Sequence, residues 1–380
     1  MHFFHSTHSF YETFMSRAVE IALRGRNRTA PNPSVGSVMV QDGHIVAEGY
    51  HRFCGGLHAE RECIADARAK GVDMSKCTLF VTLEPCNHYG KTPPCTEGIL
   101  QAGIRQVVIG TRDPNPKAAG GLEYLESKGV KVEQGILEEQ CKDLISDFLC
   151  WQFTDRAYSI LKLASTIDGK IAGTTGAQEA VSCPQSFADV QRLRSMVGAV
   201  IVGGNTLRED NPSLSCRLDV LPEEFKQPKA VVVTGHLPEN HEDYILTSTR
   251  AADTIFWTSK EQETTEIAAQ LKNKGIEIIA LPRNEKGLIL ESGFKILRKK
   301  HGILRTLCEG GGKLACSLAE QDLVDEFVMY QTPRILGNTA GRPNFAGSDN
   351  QLISEAMNMR ISRVEQSGRD LKIVFKPEGQ

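Results

Sequence analysis

Four residues near the N-terminal end carry groups whose types suit metal-assisted hydrolysis: His58, Glu60, Cys86 and Cys95. One imidazole and two thiolates make three ligands for Zn2+. A tetrahedral ion held that way keeps its fourth position for water, which separates a catalytic site from a closed structural one. The ion draws the pKa of that water down to about 7, so hydroxide is available at neutral pH. Glu60, two residues beyond His58 and within one helical turn of it, is placed to move protons without binding metal.

The order His-x-Glu followed by Pro-Cys is the pattern of zinc deaminases, but that pattern places two residues between its cysteines. Here eight residues, NHYGKTPP, stand between Cys86 and Cys95. On the generic pattern alone Cys95 stays open as the third ligand. Cys63 competes from the same helix, although helical geometry turns it away from the metal-facing side of His58. His88 would supply a fourth ligand and close the site, which would leave Glu60 without a task.

These groups need elements to hold them. Phe10, Phe14, Ala18, Ile21 and Ala22 predict an amphipathic helix over 9–28, broken by Pro31 and Pro33. Two alternating runs around Asp42-Gly43 predict a β-hairpin. HAERECIADARAKG then reads as a helix with His58 and Glu60 at its start and Gly71 at its close, and TLFVTLEPC as the strand that delivers Cys86. A helical segment at 96–103 and a strand at 106–110 continue an α/β sheet between helices. A composition shift at 150–156 marks a domain boundary, giving 1–153 and 154–380. Beyond it, strands are predicted within 157–166, 199–204, 229–235, 253–259, 276–282 and 303–312, again α/β.

Composition bounds the class. The 380 residues exceed one ordinary core, and 40% hydrophobic with 24% charged residues is globular. A net charge of −3 argues against a nucleic-acid partner, since phosphate binders carry a basic excess. The runs Arg24/Arg26/Arg28 and Arg298-Lys299-Lys300 read as solvated helix faces or ends. No stretch reaches the ~18 apolar residues of a membrane span. The N-terminus has no signal-peptide pattern, and eleven scattered cysteines fit a reduced, cytoplasmic protein. His2, His5 and His8 read as an unstructured polar terminus and receive no role.

PNPSVG at 31–36, HAE at 58–60 and TLEPCNHYGKTPPC at 82–95 together resemble the bifunctional deaminase-reductases of bacterial riboflavin biosynthesis. The resemblance continues through KLASTIDGKIA (162–172), NTLREDNPSLSCR (205–217) and CEGGGKL (308–314). It implies a cytidine-deaminase-like three-layer α/β/α domain followed by a dihydrofolate-reductase-like α/β domain. It also restores Cys95 as the third Zn2+ ligand, because the long inter-cysteine loop is the family form. The implied substrate is a small phosphorylated pyrimidine, 2,5-diamino-6-ribosylamino-4(3H)-pyrimidinone 5′-phosphate. Its ring amine is hydrolysed with Glu60 as the proton carrier, and its ribosyl group is then reduced with NADPH. Asn32, His51, His88 and Lys91 match positions lining the deaminase pocket.

In the second half, no G-x-G-x-x-G opens a helix after a strand. Gly203-Gly204 and Gly310-Gly311-Gly312 each follow an apolar strand and would let a pyrophosphate approach the backbone. Matching positions imply NADPH contacts from Ala164, Thr206, Asp210 and the run Gly311, Gly312, Lys313, Leu314, Ala315, Cys316 and Ser317. Arg194, Leu214, Arg217, Glu309 and Lys162 would face the substrate, the arginines suiting its phosphate. Asp168 reads as a pocket-shaping or strand-end residue. Gln178 and Ala180 depart from the Ser and Trp usual there and carry no role. A homo-oligomer is expected. The alternatives are a nucleoside or tRNA-base zinc deaminase with an appended binding domain, the nucleic-acid form of which is disfavoured by the acidic charge and 6% aromatic content, and a zinc-stabilised binding module closed by His88.

Overall fold

Asp42 and Gly43 both take positive φ, 49° and 77°, the conformation that lets a two-residue turn follow the twist of its strands. In the computed structural model they join β1 (Gly36–Gln41) to β2 (His44–Tyr50). The structure describes residues 7–26, 28–89, 93–174, 179–348 and 352–378, which divide into two units, Met1–Phe153 and Thr154–Gln380.

The first unit adds β3 (Thr78–Leu83), β4 (Gln106–Thr111) and β5 (Lys131–Gln134) in the order β2-β1-β3-β4-β5. β1 is antiparallel to both neighbours and the remaining pairs are parallel. Around the sheet lie α1 (Thr7–Ala22), α2 (Ala59–Ala69), α3 (Cys95–Gln101), α4 (Gly121–Ser127), α5 (Glu138–Leu144) and α6 (Ser146–Phe153). α1 presents Phe14, Ala18 and Ile21 to Val38, Val40, Phe80 and Val108, which alternate along their strands and so share one face. α2 buries Cys63, Ile64 and Ala67 and packs on β1 and β2. Its seat depends on Gly49, where a Cβ would stand 2.2 Å from Cys63 N and 2.5 Å from Ala59 O. α1 is shorter than the sequence predicts: a 3-10 turn, Leu23–Gly25, ends it, leaving Arg28 outside. It also begins at Thr7, so His8 lies within a helix and not in an unstructured end; His2 and His5 are outside the described residues.

The second unit contains β6 (Tyr158–Ser165), β7 (Lys170–Ala172), β8 (Ala199–Gly203), β9 (Lys229–Val233), β10 (Thr254–Thr258) and β11 (Glu277–Ala280). Then come β12 (Arg283–Asn284), β13 (Gly287–Leu288), β14 (Arg305–Cys308), β15 (Glu326–Gln331), β16 (Arg342–Pro343), β17 (Met359–Ser367) and β18 (Asp370–Pro377). Nine strands make one sheet in the order β11-β10-β9-β8-β14-β6-β15-β18-β17, while β7–β16 and β12–β13 form two short ribbons. The pairs from β11 to β15 are parallel, and their strands run as nearly unbroken apolar stretches such as Val231, Val232 and Phe256, Trp257, as a sheet covered on both faces requires. The helices are α7 (Pro184–Ser195), α8 (Gly204–Asp210), α9 (Lys260–Glu263), α10 (Glu266–Asn273), α11 (Leu290–His301) and α12 (Gly312–Glu320). Arg298, Lys299 and Lys300 fall in the last turn of α11, where cations complement the helix dipole. The order turns around β14, and ligands of such sheets bind beyond the carboxyl ends of the strands at a turn of this kind.

Candidate active sites

His58 is the N-cap of α2, in extended conformation at φ −71° and ψ 160°, and Glu60 sits in the helix's first turn. Cys86 follows the end of β3, and Cys95 opens α3. Their donor atoms converge. Cys86 Sγ lies 3.6 Å and Cys95 Sγ 3.4 Å from His58 Nδ1, and all three lie within 4.8 Å of one another. A tetrahedral Zn2+ bonded to sulfur at about 2.3 Å and nitrogen at about 2.1 Å sets N···S at about 3.6 Å, so the donor set fits the ion.

Cys63 and His88 stand outside this group among the described residues. Cys63 is fully buried, and burial pushes its thiol up to about 12, which keeps it protonated. His88 is exposed. The Cys95 sulfhydryl, with His58, pulls the Cys86 thiol down to about 4, leaving a thiolate ready for a cation.

Glu60 is 4% exposed. Burial, with Cys86 beside it, lifts its carboxyl to about 7, a range in which a carboxyl exchanges protons near neutrality. His51 Nδ1 lies 2.9 Å from Leu57 O, its Nε2 lies 3.3 Å from Asn32 Nδ2, and its ring meets that of His58 edge-on at 5.5 Å between centroids. Burial lowers the His51 pKa and favours the neutral ring. The structure thus brings Asn32 and His51 to His58 and the candidate metal site. Lys91 lies outside the described residues.

Three further residues carry no mark in the sequence. Burial pushes the Asp113 carboxyl up to about 6, with Glu84 and Cys86 adding to the shift. Glu84, wholly buried, accepts the N–H groups of Gly120 at 3.0 Å and Leu122 at 3.1 Å on one oxygen. Its other oxygen takes Asp113 N–H at 3.1 Å and Arg112 Nε at 3.1 Å. One carboxylate therefore fastens the turn that presents Cys86 to the segment after β4. Arg61 donates to Pro93 O and Pro94 O, just before Cys95.

In the second unit the residues matched to a substrate site also meet. Arg194, near the end of α7, grips Glu309 through Nε at 2.7 Å and Nη2 at 3.2 Å, and gives Nη1 to Ser215 O at 2.9 Å. Lys162 Nζ is 4.0 Å from Glu309. Burial would raise the Glu309 carboxyl, but Arg194, Lys162 and the more distant Arg217 hold it below its ordinary value. Burial lowers Lys162 despite Glu309. Leu214 is buried with φ +52°, a conformation unusual for a branched side chain, and it lies within the turn that brings Ser215 to Arg194.

Gly203 and Gly311 are the N-caps of α8 and α12, at the carboxyl ends of the adjacent strands β8 and β14. A Cβ at Gly203 would meet nothing within 4 Å, and one at Gly311 only Ile171 Cδ1 at 3.9 Å. Both caps therefore leave room beside them, as a pyrophosphate approaching backbone N–H groups requires, while Gly312, the first residue of α12, lies against Pro343, whose carbonyl oxygen would be 2.6 Å from a Cβ there. Thr206 and Asp210 ride on α8, and Ala164 lies in β6. Within the Gly311–Ser317 run, Leu314 and Ala315 pack in the core and Gly312 and Cys316 are buried, which leaves Gly311, Lys313 and Ser317 nearer the open side. Asp168 accepts Leu336 N–H at 3.0 Å and Gly337 N–H at 2.8 Å, so it ties two loops. Ala180 is exposed and its carbonyl accepts Arg334; Gln178 lies outside the described residues.

Comparison with known proteins agrees on both units. Residues 8–111 match the cytidine and deoxycytidylate deaminase zinc-binding region, and residues 157–373 match the RibD C-terminal domain. The riboflavin biosynthesis protein RibD of Aquifex aeolicus is 36% identical, covering 96% of this chain and 98% of its own length. That of Escherichia coli K12 is 32% identical over 95% and 97%. The crystal structure of a diaminohydroxyphosphoribosylaminopyrimidine deaminase/5-amino-6-(5-phosphoribosylamino)uracil reductase from Thermotoga maritima superposes with a TM-score of 0.71 at 36% identity, covering 98% of this chain and all of that one. Acinetobacter baumannii RibD gives 0.71 at 31% identity, covering 97% of this chain and 99% of that one. The chain therefore belongs to the RibD family of riboflavin biosynthesis proteins, and it is a bifunctional enzyme that pairs a zinc-dependent deaminase with an NADPH-dependent reductase.

Proposed function

We propose that the two sites act in sequence on one phosphorylated pyrimidine: residues 1–153 hydrolyse the 2-amino group of 2,5-diamino-6-ribosylamino-4(3H)-pyrimidinone 5′-phosphate, and residues 154–380 reduce the ribosyl group of the product. The convergence of His58, Cys86 and Cys95 beside the buried Glu60 carries this reading. Those three residues would hold Zn2+, which would supply a water of lowered pKa beside Glu60. Glu60 would take up a proton and pass it first to a ring nitrogen and then to the departing amine. Asn32 and His51 line the ring's pocket, where a neutral His51 donates or accepts without adding charge. The family resemblance assigns His88 and Lys91 to the same pyrimidine and phosphate pocket.

In the reductase, NADPH supplies hydride. The helix starts at Gly203 and Gly311 would receive its pyrophosphate, and Thr206, Asp210, Ala164 and the Gly311–Ser317 run would make the remaining contacts. Glu309 fixes the orientation of the Arg194 guanidinium, which with Arg217 would meet the substrate phosphate. Lys162 and Leu214 complete the wall. The enzyme works in the cytoplasm as a homo-oligomer.

The test mixes purified protein, the diaminopyrimidine substrate and NADPH, and follows ammonia release beside the loss of nicotinamide absorbance. Ammonia without NADPH oxidation refutes the second step. Glu60→Ala is expected to keep its zinc, to lose ammonia release by about 10²–10⁴-fold, and to reduce supplied deaminated product normally. Loss of zinc in that variant would make Glu60 a ligand and defeat its assigned role.

A further inference from the structure

The three metal ligands arrive from two pieces of structure. Cys86 and Cys95 are already joined: Cys95 N–H points to Cys86 Sγ at 3.4 Å, Thr96 N–H bonds Cys86 O at 3.4 Å, and Thr96 Oγ1 bonds Asn87 Oδ1 at 2.9 Å. His58 and Glu60 come separately, on α2. Arg61, the next residue of α2, reaches across to the start of α3. Its Nη2 donates to Pro94 O at 2.7 Å and to Pro93 O at 3.3 Å.

Pro94 is the N-cap of α3, so the carbonyl that Arg61 holds is bonded directly to the nitrogen of Cys95. Neither proline has an N–H with which to brace this segment from within. A planar guanidinium can serve two carbonyls from one side, which an ammonium cannot do in a fixed geometry. Gly98 makes the contact possible. A Cβ there would lie 2.5 Å from Arg61 Cζ and 2.6 Å from Nη1, so the guanidinium rests against α3 one turn beyond the ligand.

We propose that Arg61 is a positioning residue for the zinc site, fixing the distance between the His58/Glu60 helix and the Cys95 end of the long inter-cysteine loop. This rests on the zinc reading of His58, Cys86 and Cys95. Arg61 touches neither metal nor substrate. It acts by keeping the third thiol at the separation from His58 Nδ1 that Zn2+ requires, so that binding does not have to draw α3 towards α2.

The experiment uses full-length, zinc-loaded protein as wild type, Arg61→Ala, Arg61→Lys and Gly98→Ala. Zinc transfer to a chromophoric chelator gives the release rate, and Co2+ substitution gives the thiolate-to-metal charge-transfer band. Arg61→Ala is expected to release zinc about 10–100-fold faster, the range seen when groups supporting a ligand are removed, with a weaker charge-transfer band. Arg61→Lys restores part of the rate through its single donor group. Gly98→Ala keeps the arginine but displaces it, and alanine favours the helix, so rapid zinc release there is separated from failure to fold. NADPH oxidation with supplied deaminated product stays at the wild-type rate throughout. Release from both Arg61→Ala and Gly98→Ala within about twofold of wild type, against that expected range, overturns the proposal. A wild-type chain that binds no zinc overturns the zinc reading itself, and this role with it.

Discussion

Glu84→Gln separates what the Glu84 carboxylate does from what its shape does. In the native chain one oxygen accepts Gly120 N–H and Leu122 N–H, while the other accepts Asp113 N–H and pairs with Arg112. A glutamine amide has one acceptor. Placed with its oxygen towards Gly120 and Leu122, it keeps both of those bonds and turns its NH2 towards Asp113 N–H and Arg112, a donor facing donors. The opposite placement gives up two bonds to keep one, so the first is preferred. The unpaired Asp113 N–H costs about 1–3 kcal/mol. Loss of the pair with Arg112, which is 43% exposed, adds only about 0–1 kcal/mol because solvent screens it. The midpoint of the combined range, about 2.5 kcal/mol, corresponds to about sixtyfold in local opening, at tenfold per 1.4 kcal/mol. Hydrogen exchange resolved to single amides reads this directly. Asp113 is expected to exchange about sixtyfold faster, with Gly120 and Leu122 accelerated less than about tenfold. Equal acceleration at all three amides, or none at Asp113, would refute the one-acceptor argument.

Glu309→Gln leaves Arg194 and Lys162 as buried cations without their shared carboxylate, at about 3–5 kcal/mol. NADPH oxidation should fall while ammonia release persists, and loss of both together would count against two independent sites. Cys63→Ser should retain one zinc per chain by elemental analysis, whereas Cys95→Ser should lose it; zinc loss from the first would return Cys63 to the ligand set. Burial alone would raise the Asp189 carboxyl, but Lys372 Nζ and Tyr330 OH, each at 2.6 Å, hold it below its ordinary value. A depressed folded pKa stabilises above the unfolded value of about 3.9, and that stability is lost as pH falls through the folded pKa. Tyr330→Phe removes one donor and should move this acid loss to higher pH, read by Trp257 fluorescence in a Trp151→Phe background. An unchanged acid midpoint would show that Lys372 alone sets the shift.

What could be read from the chain follows from how far each residue's partners lie from it. The hairpin at Asp42-Gly43 and the strands β8, β9 and β10 were legible because a turn type or an unbroken apolar run is written within a few neighbouring residues. β5 and β17 were not. Each lies at a sheet edge; β5 reads Lys-Val-Glu-Gln, and β17 is largely exposed with a bulge between Ile361 and Arg363, so period-two alternation fails. β15 and β18 lie inside the sheet, β15 between β6 and β18, and they also went unread. The same division runs through the sites. His58, Glu60 and Cys86 declare themselves, since imidazole, thiol and carboxylate at short spacing have few other common uses. Arg194 and Glu309 are 115 positions apart, and only the family resemblance joined them beforehand. Glu84 and Arg61 were silent because their partners are backbone groups, and every residue carries a backbone amide and carbonyl, so no side-chain pattern marks which ones a fold will bring to a carboxylate or a guanidinium. The ligands of such a metal site are thus legible by chemistry, while the groups that hold those ligands at their spacing become visible only once the loops around them are in place.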